Sequence, residues 1–384
     1  MSSRFAKMGI DLAVPPQYSR PNWAQIDLDA LRYNALVLAR HAAPARLVAV
    51  IKAGAYGHGA LQVALALSDL PEVAMLGVAS VDEARKLREG GVEPPILLLS
   101  AILPEEAPLV VQLNLIATVW TLEVASALQE AAQNNGVDIA VHFKVDTGMS
   151  RLGATSCEAV KAYRAISAFP NLVIKGIYTH FASADEDNEA TSVQISCFHE
   201  FCAEVELPPG MLKHASNSAG VLRFPHAHFD LIRPGIALYG VYPCRPENSD
   251  VQLKPVMTWK ARLTALKTIP RGQSVSYGAT WTAQRESRIA VVPVGYADGY
   301  MRSLSNRGQV LLNGELCPVI GRVTMDQILI DVTNLEQAPQ LGDEVTIWGR
   351  DLPVEDVAER AGTIPYELLC AVSARVPRVY LSNA

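Results

Sequence analysis

The chain has 384 residues, 49% hydrophobic and 19% charged, with a formal net charge of −6 at pH 7. That length predicts two domains or one barrel with an appendage, and the apolar content is ample for a large core and argues against disorder. The acidic balance, with no basic cluster, argues against a nucleic-acid partner, and the longest apolar runs, such as Ile96-Leu97-Leu98-Leu99, are far too short to cross a bilayer. Residues 1–21 read as a tail, because Asp11 interrupts Met8 to Val14 and no signal-peptide core forms. Cys157, Cys197, Cys202, Cys244, Cys317 and Cys370 include no CxxC pair, so reduced thiols and a cytoplasmic location are expected.

From 22 to 246 the chain alternates short apolar runs with helical patterns. Strands are predicted over Leu47–Lys52, Met75–Ser80, Pro95–Ser100, Leu115–Trp120, Ile139–Asp146, Val173–His180, Leu212–Asn217 and Leu231–Gly240. Most are apolar on both faces, as parallel strands covered on both sides must be. Between them, Asp82-Glu83 opens a helix that Gly90-Gly91 closes. Leu122, Ala125, Leu128 and Ala132 share a helical face, with Glu123, Gln129, Glu130 and Gln133 mostly facing elsewhere. Eight strands, each with a crossover, predict a (β/α)8 barrel of the TIM type rather than an open sheet.

From 247 to 384 the texture becomes that of an all-β domain. Met257–Ile269, Arg288–Val294, Gly308–Leu312, Leu316–Val323, Ile328–Val332 and Glu344–Trp348 are strand-like. Asn313-Gly314 signals a hairpin, because both positions tolerate positive φ. Pro353 to Gly362 reads as a short helix ended by glycine.

In such a barrel the working face lies at the C-terminal ends of the strands. Lys52 ends the first strand inside VIKAGAYGHG, where burial of its stem presses the amine toward its neutral, nucleophilic form. Glycines 54, 57 and 59 let a ligand approach the backbone, and Tyr56 offers a rigid hydroxyl. Schiff-base chemistry needs an amine on a stiff element, a small-residue turn and a phosphate anchor. Asp146 to Arg151 follows the fifth strand, His180 ends the sixth, Asn217-Ser218 the seventh, and Arg233-Pro234-Gly235 interrupts the eighth. Taken singly, Lys52 is a strand-end lysine reaching water, His180 a core histidine, Arg151 a surface cation and Asn217 a helix cap. Their convergence on one barrel end is what points to a site. His226-x-His228 lacks a third ligand, so no metal is expected.

These segments closely resemble alanine racemase, the fold-type III enzyme family dependent on pyridoxal 5'-phosphate (PLP). VIKAGAYGHG, KVDTGMSRLG, YTHFASAD, HASNSAG, LIRPGIALYG, SYGATW, VGYADGY, RVTMDQ and PYELLC occur in family order across nearly the whole chain. Gly54 departs from the pattern, the family more often having a larger polar residue there, and Ser150 stands where glycine is frequent. The resemblance implies that Lys52 holds PLP as an internal aldimine and serves the D-isomer face. Tyr277 would serve the L-isomer face, aided by His180, and would come from the second subunit of a homodimer. Arg233 would face the pyridine nitrogen, buttressed by His214, and would leave that nitrogen unprotonated because arginine does not readily give up a proton. Asn217 lies in the implied cofactor site, with phosphate falling to Tyr56, Ser218, the backbone of Gly235 and Ile236, and Tyr366. The substrate carboxylate would meet Arg151 and the Met325 backbone, with Asp326 shaping the pocket. Tyr296, Arg302 and Arg322 would line the approach, or be ordinary surface residues. Lys144 matches a position that is either carbamylated or left unmodified near Arg151.

The reaction implied is interconversion of L- and D-alanine, an isomerase activity that feeds D-alanine to the peptidoglycan of the bacterial cell wall. A broad-specificity amino acid racemase is the alternative within the same chemistry. A basic amino acid decarboxylase shares the architecture, but that family places an acidic residue where Arg233 stands. A non-catalytic PLP carrier of the same barrel type lacks an all-β segment and a counterpart of Tyr277.

Overall fold

The computed structural model describes residues 20–244 and 251–382. Of the expected tail over 1–21, residues 1–19 lie outside those residues, as does the expected boundary at 246/247. The chain divides into two compact units, one from Asp27 to Val256 and one that joins Met257–Leu381 to the N-terminal stretch ending at Ile26.

The first unit is the barrel. Numbering every strand of the chain in order, its parallel strands are β2 (Arg46–Val50), β3 (Val73–Val78), β4 (Ile96–Leu98), β5 (Ala117–Val119), β6 (Ile139–Asp146), β8 (Leu172–Tyr178), β9 (Leu212–His214) and β10 (Leu231–Ile232), with β7 (Ala154–Thr155) a short partner of β6. They run β4-β3-β2-β10-β9-β8-β6-β5. A parallel bridge from Leu97 to Ile116 links β4 to the chain entering β5 and closes the ring. All eight predicted barrel strands are present, because Leu47, Val48, Leu76, Leu97, Val141 and Ile232 are each fully buried between interior and helices.

Helices Leu28–His41, Val81–Glu89, Leu122–Asn135, Asn188–Glu204 and Ser218–Arg223 start where Asp27, Ser80, Thr121, Asp187 and Asn217 accept a first-turn N–H. Within Leu122–Asn135 the expected face needs correction. Leu122, in the first turn, is exposed, while Gln129 is buried. It is satisfied there by Asn171, whose Oδ1 accepts from Gln129 Nε2 at 2.8 Å and whose N–H donates back to Oε1 at 2.8 Å.

The second unit is built on one sheet. Its strands are β1 (Asn22–Asp27), β11 (Met257–Arg262), β12 (Ala265–Ile269), β15 (Ser287–Val292), β16 (Gln309–Leu312), β17 (Glu315–Ile320), β18 (Ile328–Asp331), β19 (Glu344–Trp348) and β20 (Arg378–Leu381), and β13 (Ser274–Val275) pairs with β14 (Trp281–Thr282) as a separate ribbon. The predicted Met257–Ile269 run is two strands, and β20 and helix Pro365–Ala371 were not foreseen. The barrel was expected to begin at 22, but Asn22 to Ile26 pair antiparallel with Ala261 to Met257, so that strand belongs to the β-rich unit. Trp23, Trp259 and Trp348 fill its interior, the last two edge to face at 4.6 Å. The Asn313-Gly314 turn has φ of 53° and 82° and joins Leu312 to Glu315, as a hairpin of that sequence should. Helix Val354–Ala361 ends at Gly362 in the left-handed region.

Candidate active site

Lys52 lies beyond β2, where the backbone leaves Val50 and turns left-handed. Ala53, Gly54, Ala55 and Tyr56 have φ of 52°, 63°, 55° and 52°. Only glycine visits that region freely, so the turn is held from outside. Glu83 does part of this: its carboxylate accepts from Ala53 N–H at 2.6 Å and from Ala79 N–H at 2.8 Å. Lys52 itself is partly buried.

Tyr56 is buried, its ring against Tyr239 at 5.0 Å. Its hydroxyl lies so near Gly235 that any side chain at that position would collide with it. Ser218 Oγ accepts from Gly235 N–H at 2.9 Å and from Ala237 N–H at 3.2 Å, so the Gly235 N–H is directed at serine. That leaves the Ser218 hydroxyl hydrogen, and the N–H of Ile236, which opens a 3-10 turn and has no intrahelical acceptor. Asn217 caps its helix by accepting from Gly220 N–H at 2.9 Å.

Arg233 is buried and binds acceptors only. Its NH1 donates to His214 Nδ1 at 2.8 Å, and its NH2 to Thr179 O at 2.6 Å, Ala215 O at 2.7 Å and His180 Nδ1 at 3.2 Å. Among the described residues it has no carboxylate partner. Burial lowers its pKa to about 10, and lowers His180 and His214 well below the ordinary histidine value, with Arg233 adding to both. Both imidazoles are therefore neutral. Because a guanidinium only donates, both rings accept at Nδ1 and carry their proton on Nε2.

Lys144, on β6, is buried, and burial, then Arg233 and Arg151, push its pKa down to about 7. Asp146, at the end of that strand, gathers the N–H groups of Gly148, Met149 and Ser150 on one oxygen at 2.9 to 3.1 Å and so shapes the loop that carries exposed Arg151.

The β-rich unit brings a second group together. Tyr277, Tyr296, Arg302, Arg322, Met325 and Asp326 line one pocket of about 720 Å³, and Tyr366 is not among its lining. Tyr277 is 72% exposed. It stands in a turn where Ser276, Gly278 and Ala279 have positive φ, tied down by Ser276 Oγ donating to Arg322 O at 2.7 Å. Asp326 pairs with Arg375 at 2.5 Å.

Sequence reasoning missed Tyr178, Thr118 and His142. The Tyr178 ring is stacked on His214 at 4.6 Å, with Arg233 at 5.0 Å and Lys144 at 4.9 Å from its centroid. Thr118 donates to Leu98 O at 2.6 Å, so the Tyr178 hydroxyl donates to Thr118 Oγ at 2.7 Å. Burial pushes the Tyr178 phenol up to about 12, and it stays neutral beneath Arg233 and Lys144. The signal was period two: Tyr178 alternates with His180 in the predicted Val173–His180 run, and His142 shares a face of β6 with Lys144.

Residues 26–243 match the alanine racemase N-terminal domain family and residues 256–380 the alanine racemase C-terminal domain family. An alanine racemase of Halothermothrix orenii is 43% identical over 94% of this chain and 97% of its own. The alanine racemase structure of Clostridium difficile 630 superposes with a TM-score of 0.90 at 35% identity, covering 96% of this chain and 97% of that one. A Bartonella henselae alanine racemase with covalently bound pyridoxal phosphate superposes with a TM-score of 0.86 at 33% identity over 94% and 99%. A left-handed lysine turn, an arginine that faces only neutral acceptors and two matched domains over nearly the full length agree, and the chain belongs to the alanine racemase family.

Proposed function

We propose that this chain interconverts L- and D-alanine with pyridoxal 5'-phosphate bound to Lys52, as a cytoplasmic homodimer supplying D-alanine for peptidoglycan. The observation that carries the reading is Arg233, a buried guanidinium whose acceptors are two backbone carbonyls and two neutral imidazoles. A cationic donor of this kind would keep a ring nitrogen placed against it unprotonated, whereas a carboxylate there would accept from the nitrogen and stabilise its protonated form.

The residues fit the cofactor. Gly235 is the residue that leaves room for the Tyr56 hydroxyl. Tyr56, the Ser218 hydroxyl hydrogen and the Ile236 N–H form a neutral donor set suited to a phosphate, with Asn217 shaping that helix start, and the family resemblance would add Tyr366. The chemistry such a group would supply when bound is an electron sink next to Cα. Lys52 Nζ, released once the substrate amine takes its place, would take or give the Cα proton on one face, and the Tyr277 hydroxyl, from a second copy of the chain, on the other. His180, its proton fixed on Nε2, is the partner of Tyr277. Arg151 and the Met325 backbone hold the substrate carboxylate, and Asp326 shapes that pocket. Tyr296, Arg302 and Arg322 restrict the approach. A Lys144 amine near pH 7 is neutral often enough to take up carbon dioxide as a carbamate, which would neutralise Arg151.

The test is incubation of L-alanine with protein and PLP in deuterated water. Rotation should decay to zero while deuterium enters Cα. Release of carbon dioxide would replace this reading with decarboxylation, and no change would remove catalysis. Comparable deuteration of L-serine would replace strict alanine specificity with broad racemisation.

A further inference from the structure

The chain of hydrogen bonds behind Arg233 does not stop at His214. His214 Nε2 lies 2.9 Å from Nδ1 of His142, a fully buried histidine on β6. With His214 accepting from Arg233 at Nδ1, its proton sits on Nε2 and is donated to His142, whose own proton must then sit on Nε2. We infer that His142 is a positioning residue for Arg233, the end of a one-way donor relay Arg233 to His214 to His142 that fixes both imidazole tautomers.

Two further features seat His142 for this task. The register between β6 and β8 shifts between Val141 and His142, so that His142 faces Gly176 across a β-irregularity. Such shifts re-aim a side chain, and here the imidazole is the one re-aimed. A Cβ on Gly176 would come within 2.6 to 2.8 Å of three atoms of the His142 ring, so glycine is what admits the ring. His142 Nε2 has no acceptor among the described residues. The imidazole is held near its partner by shape on one side and by the His214 proton on the other. Burial keeps it neutral, lowering its pKa to about 3, with Arg233 contributing. A cation here would put an N–H against the Nε2–H of His214 and break the relay.

The consequence for the proposed racemase rests on the role given to Arg233 above; the tautomers do not. The experiment labels the full chain with ¹⁵N-histidine, eight residues in all, and records long-range ¹H–¹⁵N correlations without and with PLP. Neutral Nε2–H patterns are expected for His142 and His214, unchanged from pH 6 to about pH 8. An Nδ1–H pattern for either, or protonation of either in that window, overturns the relay. His142→Leu, which removes the acceptor while Arg233 still holds the tautomer, should move the His214 Nε2–H resonance from its native position, and Gly176→Ala should shift it. His142→Gln, whose amide oxygen can accept, should restore it. A His214 spectrum indifferent to all three would also overturn the inference. Should a variant not fold, the spectra of the native chain still decide, and because they are taken without substrate, failure of the relay and failure of racemisation are read separately.

Discussion

Ser150 holds φ of 56° in the loop that Asp146 organises, a backbone state that costs a residue with a side chain roughly 1 kcal/mol or more. Ser150→Gly should therefore raise the urea midpoint by an amount equal to about 1 kcal/mol, less the entropy that glycine adds to the unfolded chain. A lowered midpoint would mean that the serine side chain contributes something its exposure does not suggest. Lys144 makes a second argument at this scale. Its folded pKa of about 7 lies below the unfolded value of 10.5. Between those values the unfolded state binds the extra proton, so stability rises with pH from about 7 to 10.5, and below 7 the penalty of a buried cation is fully present. Lys144→Gln should flatten that slope, measured as the difference in unfolding free energy between the two proteins at several pH values. A native chain already flat in that window would indicate a modified lysine.

At the scale of the element, the Lys52 turn stands out. Three of its left-handed residues, Ala53, Ala55 and Tyr56, are not glycine, an opposing cost of roughly 3–6 kcal/mol in total. Glu83 is one of the groups that offset it. Glu83→Ala leaves the Ala53 and Ala79 N–H groups without that acceptor and should lower stability by about 1–3 kcal/mol, with Glu83→Gln intermediate because one amide oxygen remains. Equal losses for the two variants would assign the effect to packing rather than to hydrogen bonding. The glycines at 54, 57 and 59 announced a turn after β2, yet nothing in Ala53 or Ala55 announces its hand, because alanine favours right-handed helix everywhere else. Barrel strands were legible through their two-sided apolar composition, and helix starts through Ser80, Thr121 and Asp187. The end of β9 was not: it stops at His214, three residues before the predicted end, where Ala215 O turns to accept from the Arg233 side chain instead of from a strand. The register shift beside His142 left no trace in composition either, and so a histidine that the alternation with Lys144 could have flagged went unread.

For the whole molecule, the strongest prediction concerns two broken chains. If Tyr277 serves the active site of a second copy, Lys52→Ala and Tyr277→Phe are each inactive alone but share one intact site in a mixed dimer. Co-refolding equal amounts should recover roughly a quarter of native activity, since half the dimers are mixed and each keeps one of two sites. No recovery would place both residues in the same chain's site. The exposure of Tyr277 on a turn fastened by Arg322 is the feature that makes an external destination the natural one. Assigning Asn22–Asp27 to its sheet was beyond sequence reading, since an alternating strand looks the same whichever sheet recruits it, and its partner β11 lies beyond the entire barrel.

Trp23, Trp259 and Trp348, sealed inside the β-rich unit, also give the protein an optical reporter. Indoles shut away from water emit toward the blue, and their emission reddens only when solvent reaches them. Trp120, the single tryptophan of the barrel unit, is partly exposed and contributes little to that change. Fluorescence followed through unfolding will thus report chiefly on the β-rich unit, and loss of the barrel must be followed by another probe, such as far-ultraviolet circular dichroism of its helices.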